Sequence, residues 1–150
     1  MHSCMEAGFS AYVWWYIVRY YGPISDGEKE SSGGGRKGEV TKKGYVMSQY
    51  SRFIRPGYHR IKCNSMPQKS VLATAYKDSA SSKMVLVVLN ISSSSTLQQT
   101  FTIPNGNVAS FTPFTTTSTK NCQQADKIPV INNRITVTLE PSSITTFVSD

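Results

Sequence analysis

Carboxylates are scarce in this chain: nine Asp and Glu stand against sixteen Lys and Arg, leaving a formal charge of +7 over 150 residues. Histidine is scarcer still, with two, and cysteine stops at three. His2 and His59 stand apart, and Cys4, Cys63 and Cys122 match neither a zinc-ligand spacing nor a CxxC redox pair, so no metal centre is expected. An odd cysteine count argues against a disulfide framework, though Cys63 and Cys122 would meet if their strands were neighbours. No apolar run approaches the roughly twenty residues of a membrane helix. The run FSAYVWWYIV (9–18) has no basic segment ahead of it and no small-residue cleavage site behind it, so it does not read as an export signal.

Ten of the sixteen basic residues fall before Cys63. Such an excess suits an anionic polymer or surface, or simply a solvated face. No ladder of aromatic and basic residues like that of a single-strand binder accompanies it, so nucleic acid is not the expected partner, and neither is a membrane.

The chain changes character along its length. Residues 9–18 are nearly all apolar, β-branched or aromatic, which predicts a strand buried on both faces, as in a parallel sheet. Gly22-Pro23 breaks it. The stretch 25–43 contains SSGGGRKG and predicts a mobile loop. Thr41 is then placed to cap a helix whose apolar residues Val46, Met47, Tyr50, Phe53 and Ile54 recur at three- and four-residue steps, with Arg55-Pro56-Gly57 as its stop. From Tyr58 the period becomes two. Strands are expected at 58–63, 71–77, 83–90, 96–103, 107–114, 134–140 and 143–148, separated by turn clusters that include Asn105-Gly106 and Asn132-Asn133. The pattern predicts a mainly β chain: an antiparallel β-sandwich over 58–150, preceded by a βα unit over 1–57 that cannot cover both sides of its own strand. Continuous apolar residues from Met84 to Leu89 predict a central strand. The alternation of Ile135, Val137 and Leu139 with polar neighbours predicts one buried face.

Two blocks go beyond pattern. AYVWWYIVRYYGPI (11–24) and KKGYVMSQYSRFIRPGYHRI (42–61) resemble the last barrel strand, loop and helix of the glucuronoxylan-cutting xylanases of glycoside hydrolase family 30. AYK (75–77), VLVVLN (85–90), SSSSTLQQTFTI (92–103) and SSITTFV (142–148) resemble the family's side β-domain. The likeness departs only over about 28–38, where the glycine-rich stretch is long. It implies a (β/α)₈ barrel with a β-sandwich on its side, of which this chain holds the C-terminal βα unit and the sandwich. It also implies retaining hydrolysis of xylan by two glutamates on earlier barrel strands, about 5 Å apart across the sugar bond, in an exported enzyme without a cofactor. Neither glutamate strand is expected here, so the chain is expected to lack catalytic residues and to depend on an N-terminal barrel portion as its partner.

What the resemblance does assign is part of a pocket. Trp15, Arg19 and Tyr21 match positions that hold the glucuronic acid branch of glucuronoxylan. A guanidinium fork suits a carboxylate, and aromatic rings cover the apolar face of a sugar. Trp14 and Trp15 point to opposite sides of a strand, so one packs under the helix and one faces outward. Tyr12, Tyr16 and Tyr20 read as packing residues. Two other functions fit parts of the sequence: a non-catalytic carbohydrate-binding sandwich, and an anion binder resting on the charge alone.

Overall fold

Alternating apolar and polar residues build most of this molecule. A computed structural model describes residues 1–28, 35–103 and 108–150, and the chain divides into two compact units, Met1–Ser48 and Gln49–Asp150. Among the described residues the larger unit carries nine strands: β1 (Tyr58–Ile61), β2 (Val71–Asp78), β3 (Met84–Asn90), β4 (Leu97–Thr102), β5 (Ser110–Thr116), β6 (Gln123–Gln124), β7 (Ile128–Pro129), β8 (Arg134–Leu139) and β9 (Ser143–Ser149). Seven form one sheet in the order β1-β2-β3-β9-β5-β6, with β7 also paired to β5; β4 and β8 form a second. Every pairing is antiparallel. The expected strands are therefore present, within a few residues of their expected ends. β6 and β7, of two residues each, have no periodicity to read.

The core lies between the sheets. Ile135, Val137 and Leu139 of β8 are buried, while Thr136 and Thr138 between them are exposed. They meet Ala73 and Ala75 of β2, Leu86 and Val88 of β3, Phe111 of β5 and Phe147 of β9 in one apolar cluster. β3 lies between β2 and β9, and its residues Val85 to Val88 are all buried, as its unbroken apolar run predicts. The second face of the large sheet is covered by polar as well as apolar groups. Thr146 Oγ1 donates to the backbone oxygen of Gln49 at 2.7 Å, and Gln49 Nε2 donates to Thr116 Oγ1 at 2.7 Å.

The turn before β8 shows how local chemistry sets register. Ile131 and Arg134 exchange backbone hydrogen bonds of 2.9 Å in both directions, and Asn132 and Asn133 between them have φ of 50° and 58°. A two-residue turn with both central residues left-handed matches strand twist. Asn133→Gly should leave stability unchanged or slightly raised. Asn133→Val should cost about 1–2 kcal/mol, because a β-branched side chain collides with its own backbone there. Urea midpoints of the two variants check this; equal midpoints would mean the turn is not strained by the branch.

The smaller unit contains the helix α1 (His2–Glu6) and most of the helix α2 (Lys42–Ser51), which crosses into the larger unit. Thr41 caps α2 as expected: its Oγ1 accepts from Gly44 N at 3.3 Å and donates to Gly22 O at 2.8 Å. The apolar face expected of this helix is only partly realised. Tyr50 is buried, Val46 is exposed, and α2 ends at Ser51, so Phe53 and Ile54 belong to the turn that follows. There Phe53 packs on Phe114 with ring centroids 4.6 Å apart.

The structure corrects the expected strand at 9–18. Val18 forms a single parallel bridge with Ile24, and no strand forms over the run. Val13, Trp15 and Ile17 are exposed, Val13 at 88%. A strand of a parallel sheet needs a ladder on each side, and no described residue of this unit supplies either. Neither Cys63 nor Cys122 is in a disulfide, and nor is Cys4. Cys63 follows β1 and Cys122 precedes β6, at opposite edges of the large sheet, so they are not neighbours. The Asn105-Gly106 turn and the centre of the glycine-rich loop lie outside the described residues.

Candidate functional site

The loop after the apolar run is tied down by its own backbone. Gly22 N donates to Arg19 O at 2.8 Å, Ile24 N donates to Ile17 O at 3.0 Å and Arg19 N donates to Ile24 O at 3.3 Å. Gly22 must be glycine here: a Cβ would lie 2.6 Å from Ile17 O and 2.8 Å from Tyr16 O. Thr41 N donates to Pro23 O and Ser25 N to Glu39 O, each at 2.9 Å, while Lys43 Nζ donates to Tyr21 O at 3.3 Å. The loop is thereby stitched to the segment leading into α2.

On this frame the aromatic residues separate as the alternation predicts. Trp14 is half-buried and, with Tyr12, Val46 and Met47, lines a cavity of about 440 Å³ against α2. Trp15 points outward, 73% exposed. The loop then folds Arg19 back. Its guanidinium lies 5.0 Å from the centre of the Tyr16 ring and 6.0 Å from that of Tyr21, near enough for cation–π attraction. Trp15 packs on Tyr16 at 4.5 Å, and Tyr20 meets Tyr21 edge-on at 4.9 Å. Trp15, Arg19 and the half-buried Tyr21 are thus brought into one surface cluster, bridged by Tyr16. Sequence reading assigned Tyr16 to packing; its spacing of three from Arg19 was the available signal, hidden because the run reads as a strand and not as a turn. Arg19 is exposed and keeps its guanidinium N–H groups available for a two-pronged contact with a carboxylate.

Several of the described carboxylates are taken up by local contacts. Asp78 accepts from Ala80 N, Ser81 N and the Ser81 hydroxyl in the β2–β3 turn. Asp150 takes the Ser110 hydroxyl and pairs with Lys127, and Glu140 pairs with Lys120. Glu39 accepts from Arg36 N at 2.9 Å and Asp26 from Glu28 N at 3.1 Å. The Ser81 hydroxyl holds the Asp78 carboxyl below its ordinary range, and the Ser110 hydroxyl does the same for Asp150. A general acid for glycoside cleavage needs the opposite shift. No group of three or more His, Cys, Asp or Glu able to hold a metal occurs among the described residues.

No protein-family profile matches the chain. Glucuronoxylanase XynC of Bacillus subtilis is 36% identical over 147 residues, 98% of this chain and 32% of that protein. A family 30 endoxylanase from Clostridium papyrosolvens superimposes with a TM-score of 0.83 at 30% identity. A family 30 subfamily 8 xylanase from Clostridium acetobutylicum does so with a TM-score of 0.84 at 31% identity. Each of these alignments covers 99% of this chain and 36% of the other. The chain thus spans about a third of the length of the relatives it matches.

Proposed function

Because the chain is homologous over nearly its whole length to bacterial family 30 glycoside hydrolase xylanases, we propose that it serves in an exported xylan-degrading hydrolase that cuts glucuronoxylan. In this reading it supplies the side β-sandwich and one wall of the pocket for the glucuronate branch, and a barrel portion bearing the two catalytic glutamates is its partner. The observation that carries the reading is Arg19, exposed and lying over the rings of Tyr16 and Tyr21 with Trp15 alongside. Sugar recognition needs both kinds of surface. The guanidinium fork holds a carboxylate, and the rings shield that pair from water while covering the sugar.

Affinity electrophoresis of the 150-residue protein through glucuronoxylan and through undecorated xylan tests the binding, and a reducing-sugar assay tests the chemistry. Retardation by the decorated polymer alone, with no release of reducing ends, is expected. Equal retardation by both polymers would remove the branch-reading role. Hydrolysis at the rate of a barrel-containing xylanase would show that the catalytic pair lies within this chain after all.

A further inference from the structure

The arrangement at Arg19, a guanidinium over two aromatic rings, recurs in the larger unit. Arg52, just past the end of α2, is exposed. Its guanidinium carbon lies 5.2 Å from the centre of the Phe53 ring and 5.4 Å from that of Phe114, within cation–π range. Both rings are half-buried and pack on each other at 4.6 Å. Phe114 is three residues along β5 from the core residue Phe111, so it faces the other side of the sheet. That is the side on which Thr116 meets Gln49. Gln124 of β6 stands directly across from Phe114 and therefore shares its face. Its side chain is exposed.

Among the described residues no ion pair reaches Arg52. Its Nη1 donates to Cys122 Sγ at 3.9 Å, and sulfur is a weak acceptor. Asp78 accepts within its own turn, and Glu140 and Asp150 pair with lysines. The larger unit's ten Lys and Arg against four Asp and Glu are thus left uncompensated at this place. A cover for two half-buried rings needs only a methylene stem, with the charge left in water. Here the charged fork itself lies over the rings. That holds it flat in one place and removes in advance part of the ordering cost that binding a carboxylate carries. The Gln124 amide adds a donor and an acceptor on the same face.

We propose that Arg52, backed by Phe53 and Phe114 and flanked by Gln124, is a second sugar site, which takes a uronic acid residue of an acidic polysaccharide. The guanidinium fork holds the carboxylate, and the Gln124 amide hydrogen-bonds a ring hydroxyl. The identity of the sugar rests on the reading of the chain as part of a glucuronoxylan hydrolase. The site itself belongs to the larger unit, whereas Arg19 belongs to the smaller. Recognition is by the branch, so undecorated xylan is not bound there.

The test follows the arginine Nε–H signals of the full 150-residue protein by NMR during titration with a xylo-oligosaccharide bearing one glucuronate branch. The Arg52 signal, assigned by its loss in Arg52→Gln, should shift and saturate. The undecorated oligosaccharide, and sodium acetate at equal concentration, should leave it in place. In Arg52→Gln, with the backbone amide of Gln124 as reporter, binding should be about five- to tenfold weaker. Gln124→Ala, read on the Arg52 signal, should weaken binding about two- to tenfold, the size of one neutral hydrogen bond. A shift at Arg19 with none at Arg52 would overturn this site and leave the Arg19 reading standing. A shift at Arg52 with none at Arg19 would sink the Arg19 reading and leave this site. Unchanged binding in both variants, an equal response to acetate, or tighter binding of an oligoglutamate peptide would each overturn the proposal.

Discussion

Phe147→Ala should lower the stability of the larger unit by about 3–5 kcal/mol. Phe147 is 1% exposed. It sits in β9 at the middle of the large sheet, facing Leu86 of β3 on one side and Pro113 of β5 on the other. Both neighbouring strands are held in register along their length, so the space left by the ring cannot collapse without breaking two ladders. A loss of that size is a large part of the roughly 5–15 kcal/mol that holds a domain together. The control is Val13→Ala: that side chain is 88% exposed, and its removal should not move the sheet's transition. Both tryptophans, Trp14 and Trp15, lie in the smaller unit, so their fluorescence reports on that unit. Far-ultraviolet circular dichroism in urea follows the sheet. A shift below about 1 kcal/mol for Phe147→Ala would mean that the core repacks around the gap.

Arg19→Ala, placed in a barrel-complete enzyme carrying this sequence, should reduce activity on glucuronoxylan by roughly 10- to 100-fold. A charged, two-pronged hydrogen bond to a carboxylate contributes roughly 1.5–3 kcal/mol in a partly desolvated site, and about 1.4 kcal/mol is a factor of ten. Undecorated xylo-oligosaccharides present no carboxylate, so turnover of these should hardly change. Arg19→Lys should recover part of the loss, since an ammonium keeps the charge and gives up the fork. Tyr16→Leu should fall between. It removes a cation–π contact that contributes about 0.5–1 kcal/mol at an exposed site, and with it the support that aims the guanidinium. If Arg19→Ala costs the same on decorated and plain substrates, Arg19 serves the loop and not the branch.

The candidate site was half legible. Trp15, Arg19 and Tyr21 came from a motif, and the opposite directions of Trp14 and Trp15 follow from strand-like alternation alone. Their meeting point did not. The contact between Arg19 and Tyr21 lies within the tight turn that Gly22 N closes on Arg19 O, a local fold that strand-like alternation does not foretell.

The sequence by itself determined the antiparallel strands, the buried side of β8, the interior place of β3 and the capping of α2 by Thr41, because each depends on residues a few positions apart. Only the tertiary structure decided the rest. It left 9–18 without a strand ladder beyond the single bridge of Val18 to Ile24, because a ladder needs partners that no local pattern supplies. It put Cys63 and Cys122 at opposite edges, and it buried Gln49 completely where helical spacing favoured apolar neighbours. Thr116, distant in sequence, accepts from the Gln49 side-chain amide and Thr146 donates to its backbone carbonyl, which offsets part of the cost of burying it, while its Oε1 is buried without a hydrogen-bond partner among the described residues.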